Sequence, residues 1–320
     1  GTGGAGAASA AANGGAGGDG GTIVVSDISD DITGTLSITG GTGGAGGAGN
    51  GNGVGGAGGD GTAIATMVIP NAISSNVTIT GGTGGAGGAA GTGSGNGGAG
   101  GAGAAVAASI GGNIGGTLTL NDGEAGSAGA SGTGSAGSVG AGGAVTLTLN
   151  GSSAQTVTGA VTVGDDGEGT LVINNSNGVT FSSSVGTTSD KIGILNMTSA
   201  ATFNSTVDAD TLDIDTETGA STVTFAGNVA GGNWTIETGN SSGSDDAGVN
   251  FGGNLSLTSL NIDEDHSGAK ATVTFNGSSA QTVVGNLTTT ADGDGIVVID
   301  NSNGVTFNDD FGVAGNGIGS

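Results

Sequence analysis

Three short stretches, Leu36-Ser37-Ile38-Thr39, Val77-Thr78-Ile79-Thr80 and Leu118-Thr119-Leu120-Asn121, start 41 residues apart, at positions 36, 77 and 118. Each alternates apolar with small polar residues, so on a strand the apolar pair takes one face and the hydroxyls the other. Strands that return at a fixed interval with the same face inward bury that face only against their own repeats. That is the signature of a solenoid, in which each unit touches its neighbours and the whole chain can extend as one body.

The 41-residue unit continues through a glycine tract (40–61), a second strand (63–69) and a short polar connection to Ile73, which returns as Ile114. At the same spacing Val24, Ala65, Val106 and Leu147 form one expected inward column, and Ser26, Met67, Ala108 and Leu149 another. Pro70 falls just after the second strand, where a missing donor costs least. The row Ser37, Thr78, Thr119 forms a short outward hydroxyl ladder with Thr39 and Thr80 beside it, and at a strict interval it lapses at Ala160.

The glycine tracts read as Gly-Gly-X triplets, as in Gly43-Gly44-Ala45 and Gly46-Gly47-Ala48, a period that matches a threefold extended helix. An unreturned tract of about 20 residues would travel roughly 60 Å and could not rejoin the next strand. Turn-like centres at Gly49-Asn50-Gly51-Asn52-Gly53 and Gly93-Ser94-Gly95-Asn96-Gly97 instead predict paired out-and-back arms, stacked where absent side chains let backbones meet. Residues 1–149 are thus expected to form a glycine-rich solenoid with polyglycine-II-like arms.

From residue 150 the tracts stop. Phenylalanines at 181, 203, 225, 251 and 275 are spaced by 22 to 26 residues, the length of one β-helix coil. A block beginning Asn150-Gly151-Ser152-Ser153-Ala154-Gln155-Thr156-Val157 recurs 126 residues later from Asn276, and the match runs over 150–181 and 276–307. Residues 150–320 are therefore expected to be a β-helix of short coils. The predicted class is all-β, a parallel β-helix with essentially no α-helix, since helix-period windows are missing.

Composition narrows function. With 79 glycines but one proline and no strict Gly-X-Y period, collagen is excluded. A net charge of −25, with two lysines as the only basic residues besides one histidine, repels phosphate backbones and anionic membranes. Nucleic-acid binding is excluded on that ground, and no apolar run reaches the roughly 18 residues of a membrane span. There is no charged-then-apolar leader. The chain opens inside one glycine tract and closes on Gly315–Ser320 at the start of another, which reads as a processed protein or a segment of a longer one.

The Gly-Gly-X tracts of residues 1–143 resemble the glycine-rich repeats of mycobacterial PE-PGRS proteins and the polyglycine bundles of snow-flea antifreeze proteins and phage tail-tip adhesins. The Val-Thr-Phe coils and the Asn-Gly-Ser-Ser-Ala-Gln-Thr-Val block resemble bacterial autotransporter passengers and β-strand-repeat surface adhesins. That resemblance implies a right-handed parallel β-helix at the cell exterior.

Acidic residues supply the candidate site. Asp215, Glu237, Asp263 and Asp300 end strands read as equivalent, with Asp208, Asp210, Asp213 and Asp265 close by in sequence. Unit charges one strand apart, about 4.8 Å, repel by roughly 0.9 kcal/mol in water. A bridging Ca²⁺ would remove that cost through oxygen coordination; the alternative is a solvated acidic face. The metal candidates are Asp213, Asp215, Glu237, Asp263, Asp265 and Asp300, with structural Ca²⁺ as the cofactor. Gly14–Asp19 and Gly55–Asp60 each match the start of a Gly-Gly-x-Gly-x-Asp calcium repeat, but neither recurs every nine residues and a third copy carries Ala102 in place of Asp.

Catalysis is not expected. Asp213 and Asp215 could act as acid and base on a polysaccharide, but sugar platforms use aromatics and the chain has only Trp234 besides seven phenylalanines. Trp234 reads as core and the lone His266 as a polar-loop residue. Asn76, Asn196, Asn204, Asn233, Asn254 and Asn286 begin Asn-X-Ser/Thr acceptor sequences. The sequence therefore predicts an extracellular structural protein that assembles head to tail with itself as a filament, surface layer or matrix. An adhesin stalk for host or cell-surface glycans is the alternative, with an ice-binding solenoid behind it.

Overall fold

The computed structural model describes every residue except 1, 9–12, 22–27, 29, 217–220, 239–245, 265–269, 313–315 and 319–320. The described residues contain no α-helix, and their strands form three parallel sheets of four, seven and ten strands. This is a parallel β-solenoid. Within each sheet every strand pairs with its counterpart one coil away, and the side chains turned inward stack in columns along the axis.

The three stretches that begin at 36, 77 and 118 lie side by side in the four-stranded sheet, Leu36 against Val77 against Leu118. The next strand is Val161–Val163, and Val161 continues through Val185 and Val207 to Val229, Leu255 and Val283. The phenylalanine column is also present: Phe181, Phe203, Phe225, Phe251 and Phe275 stack with ring centroids 4.8 to 5.8 Å apart. Trp234 packs beside Phe225, buried, and its indole N–H donates to the Ala209 carbonyl at 3.0 Å.

Two register expectations need correcting. Val106 aligns with Ile64 and Val145, and Ala108 with Met67 and Leu147, so Val106 does not share a column with Ala65 and Leu147, nor Ala108 with Leu149. An irregularity between Ile64 and Met67 and a 39-residue step from Val106 to Val145 break the strict interval. Val24 and Ser26 lie outside the described residues, as does the side chain of Ala65. The hydroxyl ladder, for its part, does not lapse: Thr119 pairs with Thr162, 43 residues on, with their hydroxyl oxygens 3.0 Å apart.

The ten-stranded sheet crosses residue 150 without a break, Leu149 pairing with Ile173. What changes there is an insertion at one corner. In the N-terminal coils the chain leaves the sheet after Thr39, Thr80 and Asn121, runs out and back as a glycine arm pair, and is closed at its base by antiparallel bridges such as Gly82 to Ala104 and Gly123 to Gly143.

The arms are held by a three-residue bonding rule. The first glycine of each triplet donates to the equivalent arm one unit on, as Gly43 to Thr83, Gly46 to Ala86 and Gly58 to Ala99, at 2.8 Å. The second donates across to an antiparallel arm, as Gly59 to Gly44, Gly85 to Gly59 and Gly101 to Gly85, also at 2.8 Å. The third residue faces solvent. Where an arm has neighbours on both sides, as at Gly43, Gly46, Gly58, Gly59, Gly85 and Gly101, a Cβ on either glycine would meet a neighbouring carbonyl closer than 3.0 Å, which is why these positions are glycine. The last returning arm breaks the rule where nothing follows it. Ala136 and Val139 stand where Gly97 and Gly100 stand one unit earlier, and Val139 is 64% exposed.

The duplicated block is a corner cassette. Gln155 donates to the Ile110 and Gly112 carbonyls and accepts from Gly151 N–H and the Asn175 amide; Gln281 does the same with Phe251, Gly253, Gly277 and Asn301. The two copies turn different corners, since Val157 pairs with Phe181 in the seven-stranded sheet but Val283 pairs with Phe307 in the ten-stranded sheet. Phe307 consequently leaves the phenylalanine column and meets Phe275 edge-on.

Candidate functional site

The acidic row is only partly as expected. Asp215, Glu237 and Asp263 are direct partners across the ten-stranded sheet, all half-buried, and Asp213 lies two residues before Asp215 on the same outer face. Burial raises the Asp213 carboxyl above its ordinary value. Asp300 does not belong to the row. It follows the strand Ile296–Ile299 of the seven-stranded sheet, where its N–H donates to Phe275. Its strand end matched the others in sequence, but the rotated cassette carries it to another face. Asp265 and His266 lie outside the described residues, and among the described residues no three His, Cys, Asp or Glu side chains gather as a metal site.

Other acids act as struts, which the sequence reading missed. Asp19 Oδ1 accepts Asp60 N–H at 3.0 Å and Asp60 Oδ1 accepts Ala102 N–H at 2.8 Å, so the calcium-like motifs tie one arm to the next. Asp31 does this for Ala72, Asn76 for Thr117, Asn113 for Thr156, Asn228 for Asn254, and Asn254 for Thr282. Each side-chain oxygen spans one coil at a corner, where the ladder between strands is interrupted. The sequence signal was an Asx at each corner, one coil before the residue it supports.

Both lysines are committed to corners as well. Lys191 Nζ is 2.9 Å from Asp166 and 3.5 Å from Asp210, and its hydrogen bonds hold the Asp166 carboxyl low. Lys270 Nζ lies 2.9 Å from Glu264. At the base of the last arm pair Asp122, Glu124, Asp165 and Glu168 line one cleft. Burial, and then repulsion from Asp122 and Asp165, raise the Glu168 carboxyl, although N–H groups of those residues donate to it.

Two outward hydroxyl rows run along the solenoid. One is Ser37, Thr78, Thr119, Thr162. The other, on the seven-stranded sheet, is Thr156, Thr180, Thr202 and Thr224, with Thr274 beyond an interruption at Asn250. The second was hidden in sequence because its intervals vary with the corners.

No helix among the described residues is long and apolar enough to cross a membrane. Comparison of the chain with protein-family models, curated proteins and solved structures returned no match. The site is therefore read from its own chemistry.

Proposed function

We propose that the protein is an extracellular structural element that assembles with copies of itself by stacking solenoid coils, without catalytic activity. One observation carries this reading. Every inward column is covered only by the coils on either side, as Phe203 is by Phe181 and Phe225, so a coil face of this solenoid can receive a further coil; Ile299, one step beyond Phe275, and Phe311 present such a face, 50% and 47% exposed. The strand Ile296–Ile299 is paired on one side only. An edge with apolar residues facing along the axis is a template for another coil, and a second copy supplies one. In this reading the row Asp213, Asp215, Glu237 and Asp263 takes up Ca²⁺ between adjacent coils and relieves repulsion along the assembly. The sign of the net charge suits a solvated exterior rich in divalent cations.

Sedimentation velocity over a dilution series tests the stacking. The protein should sediment as a concentration-dependent series, and Ile299→Asp should collapse it to one slow species. A single species at every concentration in the unmodified protein would remove the basis of the proposal.

A second reading is favoured by the run of four paired threonines, Thr156, Thr180, Thr202 and Thr224, on the seven-stranded sheet. Regularly spaced threonines at roughly 4.8 Å are what a face for ice requires. An ice-recrystallisation assay separates it: Thr202→Lys with Thr224→Lys should abolish any inhibition, and no inhibition by the unmodified protein ends this reading.

A further inference from the structure

Asp208 is the buried carboxylate that the assembly reading does not use. It follows Val207 at the start of the strand Val207–Thr216 and points to the outer face, yet it is only 6% exposed. Its neighbours across the sheet explain this. Ala230 lies on one side and Gly186 on the other, where φ is +69° and a Cβ would strike the Asp208 carbonyl. The chain leaves the sheet at Gly186, and Thr188 comes to line a cleft of about 230 Å³ beside the carboxylate. No described group donates a hydrogen bond to the Asp208 carboxylate. Lys191 acts on it only through its charge, since the ammonium is held by Asp166 and Asp210. Burial raises the Asp208 carboxyl, as expected of an acid without a donor.

The rest of the cleft is lined by Val229 and Ala230, which give it an apolar wall, and by Thr206, Asn228, Asn254 and Ser256. The two asparagines have their carbonyl oxygens committed, Asn228 Oδ1 to Asn254 N–H at 2.9 Å and Asn254 Oδ1 to Thr282 N–H at 2.8 Å. Their Nδ2 groups remain as donors at the rim. The cleft thus needs a ligand that donates to Asp208 and accepts from the amides. An inorganic anion meets the carboxylate with like charge, a metal ion meets amide hydrogens, and a primary amine brings no acceptor. Adjacent hydroxyls on one ring do both.

The geometry points to a saccharide subsite at Asp208, in which one ligand hydroxyl donates to the carboxylate and a neighbouring oxygen accepts from Asn228 or Asn254. It stands apart from the coil-stacking end of the molecule and offers hydrogen bonds to a single neutral sugar ring, without the aromatic platform that an extended polysaccharide would use. Asp208 also marks a function that opposes stability, because a buried carboxylate without a donor costs more than the ordinary residue that could replace it.

Saturation-transfer-difference NMR on the full chain tests this, with methyl α-mannoside, methyl β-galactoside and methyl β-glucoside as probes and their fully O-methylated forms as controls. At least one glycoside should receive saturation, its O-methylated form should not, and excess EDTA should change nothing. Asp208→Ala should weaken the signal about tenfold or more, the loss expected for a charged hydrogen bond, while its thermal midpoint equals or exceeds that of the parent. Asp208→Asn, which keeps the shape, serves if the alanine variant does not fold. Saturation of none of the three glycosides overturns the inference. So does binding that persists undiminished without the carboxylate, that EDTA abolishes, or that the O-methylated sugars share.

Discussion

Gly85→Ala tests the glycine arms most sharply. Gly85 N–H donates to Gly59 and its carbonyl accepts from Gly101, both at 2.8 Å, and an added Cβ would collide with the Gly44 carbonyl of the preceding unit. That carbonyl is backbone and cannot swing aside, so the arm must move and both bonds are lost. Two buried backbone groups left unpaired cost roughly 1 to 3 kcal/mol each. The unfolded chain loses freedom when alanine replaces glycine, which returns about 0.4 to 1 kcal/mol. The net is a local destabilisation of about 1 to 5.5 kcal/mol, or roughly fivefold or more in the opening equilibrium. Hydrogen exchange followed by mass spectrometry on peptides spanning 81–104 reads that opening directly. Two controls set the scale. Ala86→Ser, on the solvent side, should exchange like the parent, and Gly142→Ala, whose Cβ would find its nearest neighbour, the Gly123 carbonyl oxygen, at 3.3 Å, should change little. Parent-like protection in Gly85→Ala would mean that the arms do not stack in contact.

Gln155→Ala and Gln281→Ala should each cost about 3 to 5 kcal/mol in urea unfolding, because each strands several buried partners; equal losses are expected from the equal bonding, and a neutral effect at either site would refute the cassette. Phe225→Ala, in mid-column, should lose about 3 to 5 kcal/mol, and Phe307→Ala, partly exposed at the open end, clearly less; the order is checked by denaturation midpoints. Glu168, Asp208 and Asp213 all have raised carboxyls, so the folded state binds their protons more tightly than the unfolded chain does. They destabilise the fold fully above their folded values, and the penalty is relieved as pH falls through them. The thermal midpoint should therefore rise as pH is lowered from neutral into the ordinary carboxylate range, less so in Asp213→Asn; a midpoint that falls throughout would contradict the assignment.

The columns that face inward were legible because a solenoid core repeats its chemistry: Leu36, Val77 and Leu118, and the five phenylalanines, announce themselves by spacing. The glycine arms were legible too, since only glycine fits a backbone pressed against backbones. Register was not, because corners absorb or drop residues while the inward pattern holds the strand in place. The step from Thr119 to Thr162 is 43 residues and that from Ala108 to Leu147 is 39, so a strict 41 placed a hydroxyl row at Ala160 and mixed two columns. The acidic row was half legible: Asp215, Glu237 and Asp263 share a register, while Asp300 sits after a cassette turned to another corner, which alignment of the two copies does not reveal. Nor did residue type separate strut from ligand, since Asp19 and Asp60 look like calcium ligands and serve as one-coil braces.

Electron microscopy of the purified chain, with Ca²⁺ and with excess EGTA, tests the central claim most directly. Stacking through the open coil around Ile299, with Ca²⁺ on the acidic row, predicts end-to-end filaments or sheets in calcium and shorter ones or single rods in EGTA. Single short rods under both conditions would contradict it.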